Sequence, residues 1–340
     1  NYVEAVGLLR HGGKIIGIQA RDREGGADFD VQTKVVINAC GVETEDILTM
    51  DGAARGSLLA LSQGTHFVLP HSFLPGNTAL MIPKTADGRV LFAIPWHGAV
   101  IVGTTDEPVA SAPAEPRALL AEKKFLLEHI TRYFGRTPDA SEILSVWSGL
   151  RPLVRKGGGK TSQLSRDHTI LVSRSGLVTV TGGKWTTYRR MGQDTIDRAC
   201  EVASLRKQPS QTLELKLHGW VLDSSATPAW ERVYGSDLPM LQALSNEDAA
   251  LDEPLHRRLP FRLREVVWSA RYEMARTVED VLARRTRALF IDARAAIEAA
   301  PVVATLLARE NQRSEAWKAK DLASFVELAK GYIYQEGEAV

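Results

Sequence analysis

A chain of 340 residues has room for two or three domains with cores of their own. Forty-two basic against forty-one acidic side chains give no general attraction to nucleic acid or anionic lipid, and a 44% hydrophobic share is that of a globular protein. The two cysteines, Cys40 and Cys200, form no CxxC, which argues against a disulfide framework and fits a reducing cytoplasm. No run spans a bilayer and no signal peptide is visible.

Val3–Arg10 and Lys14–Arg21 alternate in polarity around His11-Gly12-Gly13, which predicts a hairpin, and a short strand near Phe29–Val31 completes a meander. The chain thus opens already strand-like, as if in the middle of a domain. Lys34–Ala39 reads as a continuous apolar strand ending at Asn38-Ala39-Cys40-Gly41, and residues 50–64 read as irregular. Thr65–Leu69, Ala79–Ile82, Arg89–Pro95 and Ala99–Gly103 predict a second sheet, antiparallel because Asp87-Gly88 and His97-Gly98 are turn pairs. Pro116 is expected to open a helix that runs through Phe134 and stops at Gly135. The strands Ile143–Trp147, Thr169–Ser173 and Leu177–Thr181 follow. Pro209 and the polar stretch 221–229 mark a change of composition. From Asp237 the pattern is helical, with Thr277 and Asp280 spaced as a capping box before Val281 and Leu282.

The most informative stretch is LVTVTGGKWTTYRR, residues 177–190. A buried strand runs into Gly182-Gly183, and Thr186 or Thr187 can cap a helix whose apolar positions are Tyr188, Met191, Ile196 and Ala199. Strand, glycine turn and helix start together form an anion-attracting corner, to which Lys184 adds a cation. The same pattern also describes an ordinary tight βα turn. Lys156–Thr161 (KGGGKT) mimics a P-loop but has Val154 where the first glycine belongs, so it reads as a surface loop. No G-x-G-x-x-G follows a strand, and no histidine set has metal-ligand spacing. The basic run Arg284, Arg285, Arg287 reads as a solvated or domain-bridging helix face.

Isolated polar residues recur at strand ends: His66, Thr105 and Asp106, Arg151, Arg166 and Lys184. Taken singly, His66 is a hydrogen-bonded sheet histidine or a base, Arg151 a surface ion-pair partner, and Asp106 a turn residue. Taken together, they describe a cationic pocket for a small anion.

The strings GTHFVLP, VLFAIPWHGAVIVGTTDEPV, VWSGLRPLV, SRDHTILVS and LVTVTGGKWTTYRRM, with the helical EVVWSARYEMARTVEDVLARRTRALF, resemble the FAD-dependent glycerol-3-phosphate dehydrogenases, in order and across essentially the whole chain. The resemblance implies an α/β (α+β) protein: a glutathione-reductase-like FAD domain with an antiparallel substrate-domain sheet and an all-α C-terminal domain. The expected boundaries are 1–50 for the FAD-domain remnant, 51–140 for the substrate sheet and helix, 141–208 for the return to the FAD domain, and 209–340 for the helical domain. Two departures stand out. The family's N-terminal G-x-G-x-x-G βαβ unit is absent, and Gly41 is followed by Val42-Glu43-Thr44 where the family has a tryptophan soon after. The expectation is an N-terminally truncated form, inactive and binding FAD weakly or not at all by itself.

The implied reaction is oxidation of sn-glycerol 3-phosphate to dihydroxyacetone phosphate, with electrons passed to quinone. The catalytic set implied is His66 as base, Arg151 orienting the alkoxide oxygen, and Lys184 at the flavin or substrate. Arg166 grips the phosphate with basic residues of the missing segment, Arg151, Thr105 and Asp106 complete the substrate-binding set, and Asp106 positions its loop. Ala39, Gly41, Gly182, Gly183, Lys184, Trp185 and Thr186 hold the flavin. The expected location is cytoplasmic, peripheral on the inner face of the membrane. The alternatives are another FAD-dependent amine or 2-hydroxy-acid oxidoreductase of the same superfamily, or a non-catalytic truncated product.

Overall fold

A computed structural model describes every residue except 54–55, 57, 84, 86–87, 156–166, 224–226, 229 and 337–340. The chain begins β1 (Val3–His11), β2 (Lys14–Asp22), β3 (Asp28–Gln32), β4 (Ile37–Asn38), α1 (Thr44–Met50) and β5 (Leu59–Pro70). It continues through β6 (Leu80–Ile82), β7 (Leu91–Trp96), β8 (Ala99–Gly103), β9 (Glu107–Val109), α2 (Leu120–Phe134) and β10 (Ser145–Val154). Next come β11 (His168–Val172), β12 (Val178–Gly182) and α3 (Tyr188–Val202). The rest is helical: α4 (Leu238–Ala243), α5 (Leu263–Tyr272), a π-helical turn at Asp280–Arg285, α6 (Ala288–Ile291), α7 (Ala293–Glu310) and α8 (Glu315–Lys330).

Two compact units divide it. The first holds residues 1–63, 106–114 and 150–215; the second holds 64–105, 115–149 and 216–340. The segments 1–50 and most of 141–208 thus fall in the first unit. Most of 51–140 and 209–340 fall in the second, and β5 and β10 contribute residues to both.

In the first unit, β1, β2 and β3 form the expected antiparallel meander, closed at Gly12 and Gly13 by left-handed φ values of 57° and 75°. A second small sheet has the order β11-β12-β4, in which β4 runs parallel to β12 with Val178 opposite Ile37 and Thr179 opposite Asn38. The expected strand over Lys34–Ala39 therefore contracts to two residues, because β12 pairs with it over only that length.

Of the stretch 50–64 expected to be irregular, residues 59–64 are strand, while 51–53, 56 and 58 lie outside helix and strand. The stretch contains the end of α1's connection and the start of β5, and one side chain organises both. The Glu45 carboxylate accepts hydrogen bonds from the backbone N–H of Gly56 (2.8 Å), Leu58 (2.9 Å) and Leu59 (2.9 Å). Burial pushes this carboxyl up, but those three donors and Arg155 outweigh it and hold it below the usual range. Asp51, at the end of α1, behaves likewise: desolvation raises it, while hydroxyls of Ser173 and Ser175 and the Arg10 guanidinium (2.6 Å) hold it low.

In the second unit, residues of β5, β8 and β7 pair antiparallel, with β6 at the edge. The strand period of two sends Phe67 and Leu69 of β5, Val100 and Val102 of β8, and Leu91 and Ala93 of β7 to one face. There they meet Leu126 and Ile130 of α2. Met81, Phe92 and Ile94 occupy the opposite face and are exposed. α2 starts at Leu120, four residues after Pro116: Leu119 is its extended cap, and the Glu122 carboxylate reaches back to accept from the Leu119 N–H (2.9 Å). Gly135 ends it as expected, at φ 74°. A second apolar core joins α5, α7 and α8 to the π-helical turn, with Leu282, Leu289, Val303, Leu307 and Phe325 among its buried side chains. The Thr277–Asp280 capping box forms in both directions: Asp280 N–H to Thr277 Oγ1 (3.1 Å) and Thr277 N–H to the Asp280 carboxylate (3.2 Å). The arginines after it are bound rather than simply solvated, Arg284 to Glu279 (2.6 Å) and Arg285 to the Glu273 carbonyl.

Candidate active site

Parallel strands present ligands at their C-terminal edge, where the chain leaves the sheet and helices begin. In the first unit, β4 and β12 leave the sheet at one such edge. Ala39, Cys40 and Gly41 follow β4 and lead into α1, and Gly183, Lys184, Trp185 and Thr186 follow Gly182 at the end of β12 and lead into α3. Every residue expected to hold the flavin is therefore in this unit and at this edge.

Gly182 and Gly183 have φ values of 75° and 78°, a region that excludes most side chains. The surroundings exclude them as well. A Cβ at Gly182 would lie 2.9 Å from the Asp167 carbonyl oxygen, and one at Gly183 would lie 2.5 Å from the Met191 sulfur. The glycines thus let α3 and β11 pack against the turn, while its outer side, Lys184, Trp185 and Thr186, stays exposed. A 3₁₀ turn over Trp185–Thr187 precedes α3, and the Thr187 hydroxyl donates to the Lys184 carbonyl (3.0 Å) instead of capping a first-turn N–H. Tyr188 and Ile196, expected on the buried face of α3, are half exposed, and Thr195 and Ala199 make the packing contact. Two buried hydroxyl oxygens near this edge, on Thr44 and Thr181, have no hydrogen-bond partner among the described residues. The exposed part of the turn offers the Lys184 ammonium and the Thr186 hydroxyl, donors of the kind that the carbonyl and nitrogen acceptors of a flavin's pyrimidine edge accept.

Arg151 and Asp106, also in the first unit, form an ion pair at 3.6 Å, and the Ser62 hydroxyl donates to the same carboxylate. Both charged side chains remain partly open, at 33% and 21%. Asp106, expected to position its loop, thus contacts the Arg151 guanidinium and Ser62. Arg166 lies outside the described residues, as does the whole KGGGKT loop.

His66 belongs to the second unit. It sits on β5 opposite Gly103 of β8, on the face away from α2. Its imidazole stacks on the Trp147 indole, with centroids 4.2 Å apart and planes 17° from parallel, and the Phe290 ring meets that indole edge-on at 5.5 Å. Below the imidazole is Gly103: a Cβ there would lie 2.2 Å from His66 Cδ2 and 2.8 Å from Nε2. The histidine therefore occupies a slot with a backbone floor and an indole lid. Beside it, the Thr65 and Ser148 hydroxyls bond each other at 2.7 Å.

Thr105 does not have the character of a substrate contact. It is fully buried, its Oγ1 accepting from the Thr65 N–H (2.7 Å) and donating to the buried Glu122 carboxylate (2.5 Å). It ties α2 to β5 next to His66, and sequence reasoning misread it because a threonine in a turn-like string looks exposed.

Gly103 and Trp147 were missed, and so was His168. Its Nε2 lies 3.1 Å from Asp194 of α3, and its Cβ is 3.3 Å from where a Gly183 side chain would begin. A histidine two residues after Arg166 and opposite Gly182 was the available signal.

A family model described as FAD dependent oxidoreductase matches residues 1–189, and one described as C-terminal domain of alpha-glycerophosphate oxidase matches residues 178–318. The chain is 36% identical over 351 residues to a Caenorhabditis elegans protein named probable glycerol-3-phosphate dehydrogenase, mitochondrial, covering 95% of this chain and 47% of that one. It is 32% identical over 370 residues to the mitochondrial glycerol-3-phosphate dehydrogenase of Schizosaccharomyces pombe, covering 91% and 57%. The chain thus spans about half the length of these relatives. A solved glycerol-3-phosphate dehydrogenase from Bacillus halodurans, complexed with FAD, superposes with a TM-score of 0.83 over 100% of this chain and 71% of that one, at 24% identity, and so shares its fold. With the mixed α/β architecture and the all-helical C-terminal region, these matches place the chain in the FAD-dependent oxidoreductase family, on the branch that resembles the glycerol-3-phosphate dehydrogenases.

Proposed function

We propose that this protein acts in the oxidation of sn-glycerol 3-phosphate to dihydroxyacetone phosphate, with FAD as the oxidant and a quinone as the final electron acceptor. The observation that carries the reading is the shared edge of β4 and β12, whose exposed lysine and close-packed glycine turn suit a flavin ring. The named relatives supply the substrate. FAD, when bound, would take the C2 hydride.

The chain's own side chains then have three tasks. His66 accepts the hydroxyl proton, which a neutral imidazole does near physiological pH. Arg151, oriented by Asp106, offers planar donors to the oxygen as negative charge develops there. Arg166 supplies a cation for the phosphate dianion. Ala39, Gly41, Gly182, Gly183, Trp185 and Thr186 would hold the ring, and Lys184 would lie nearest its acceptor atoms. Contact with a membrane quinone, in this reading, is peripheral; among the described residues no helix is long and apolar enough to cross a membrane.

The test is anaerobic bleaching of flavin in the protein, and in the protein extended by a family-type βαβ segment, on mixing with glycerol 3-phosphate, glycine or 2-hydroxyglutarate. Bleaching by glycerol 3-phosphate alone supports the proposal, and its loss in Arg151→Ala supports the site. Bleaching by glycine or 2-hydroxyglutarate instead moves the protein to another substrate class. Intact bleaching in Arg151→Ala removes that residue from the site.

A further inference from the structure

We propose that Trp147, with Gly103, is a positioning device for the His66 base, fixing the plane of its imidazole. This rests on the reading of His66 as the proton acceptor. Three observations carry it. The stack is close and nearly parallel, at 4.2 Å and 17°. The opposite side of the same ring is closed by the one residue type that leaves room, since any Cβ at position 103 would overlap His66 Cδ2. The lid is itself held: Phe290 meets the indole edge-on, and the Ser148–Thr65 hydroxyl bond joins the residue after the tryptophan to the residue before the histidine.

An imidazole gripped on both faces keeps rotation out of its plane to a minimum, and proton abstraction depends steeply on that orientation. The indole face also stabilises positive charge above it, so the lid favours the imidazolium that forms once the hydroxyl proton has been taken. Trp147 touches no reacting atom in this scheme and acts through His66. Its other neighbours, Trp96, Ile101, Arg284, Arg287 and Phe290, line a cavity of about 540 Å³ with it, so the indole forms one wall of an open pocket.

The experiment needs no flavin for its first readout. In carbon–proton spectra of the protein, the His66 ring signals, identified by their loss in His66→Asn, should be displaced upfield by the indole ring current. Trp147→Leu should return them to ordinary positions, and Trp147→Phe should retain part of the displacement. In the flavin-loaded enzyme, Trp147→Leu should lower kcat between about ten- and a hundredfold with little change in KM, and Trp147→Phe should recover most of it. Should Trp147→Leu fail to fold, Gly103→Ala supplies the same test, because its methyl displaces the ring from the other side and should likewise shift the signals and lower kcat. Undisplaced signals in the unmodified protein, or an unchanged kcat in a folded Trp147→Leu, overturn the proposal. Full turnover in His66→Asn, together with displaced His66 ring signals in the unmodified protein, overturns the reading of His66 as the base and leaves the stack standing.

Discussion

The two units bury their apolar side chains very differently. Both contiguous cores lie in the second unit, one under the sheet face with Phe67 and Val102, the other among α5, α7 and α8. The first unit buries scattered residues such as Ile15, Leu177, Val178 and Ala199, and leaves Phe29, Leu171, Trp185, Tyr188 and Ile196 exposed. The contrast separates two ways of making a site. His66 is preorganised, its ring held from both faces before any ligand arrives. Lys184, Trp185 and Thr186 project from a turn whose glycines are fixed by packing but whose outer side is open.

The sharpest way to break that contrast is catalytic. His66→Asn should lower kcat by about 10²–10⁴-fold with the melting temperature unchanged, as expected of a base whose slot is built by its neighbours. A matching fall in melting temperature would make His66 a structural residue instead.

Stability offers the next comparison. Leu307→Ala, at a fully buried site in α7, should cost about 2–5 kcal/mol in denaturant unfolding, whereas Ile196→Ala, at a site 55% exposed in α3, should change stability by no more than about 0.5 kcal/mol. Equal costs would mean that the exposed face of α3 is covered in solution.

Flavin binding should act on one unit. At a free FAD concentration of 100 times Kd, linkage stabilises the bound form by about 2.7 kcal/mol. Slower amide exchange should therefore appear in residues 178–187 and not in α7, and uniform protection of both would remove the contrast.

The smallest expected effect is a difference in pH response. Glu265 is buried, and desolvation pushes its carboxyl up to about 7, against the pull of the Arg262 N–H and Arg264. Its folded value exceeds its unfolded one, so its contribution to the second unit is full below about pH 4.5 and is lost as pH rises through 7. Asp51 in the first unit is held low and has the opposite sign: its contribution is present above the ordinary carboxyl range and is lost on acidification. Glu265→Gln should flatten the neutral-side slope of unfolding stability. A slope that survives the substitution would assign it to another group.

Legibility in the sequence followed the range of the stabilising contact. The hairpins at Gly12-Gly13 and His97-Gly98, the stop at Gly135 and the Thr277–Asp280 box were readable because each is settled within a few residues. Start positions set from a distance were not. The beginning of β5 depends on a carboxylate in α1, and the start of α2 depends on Glu122 reaching back past the proline that looked like its opening. The candidate site divides in the same way. Its glycine turn was plain as a string. The lid over His66 was invisible, because Trp147 and Gly103 are joined to it only by strand pairing and ring stacking, which no local pattern records.

β5 carries a further consequence. It runs twelve residues without a break, and Phe67 and Leu69 face the α2 core while His66 lies on the opposite side of the strand. Such a strand is a ruler with a period of two. Deleting or adding a single residue ahead of His66 would exchange its place with that of Phe67, burying an imidazole among aliphatic side chains and stranding a phenyl ring under the indole. Point substitutions along β5 can therefore be graded by size and polarity, whereas single-residue insertions and deletions before position 66 should be uniformly lethal to function. Loops elsewhere can change length without this penalty, because no strand pairing carries their residue count through to the slot of His66.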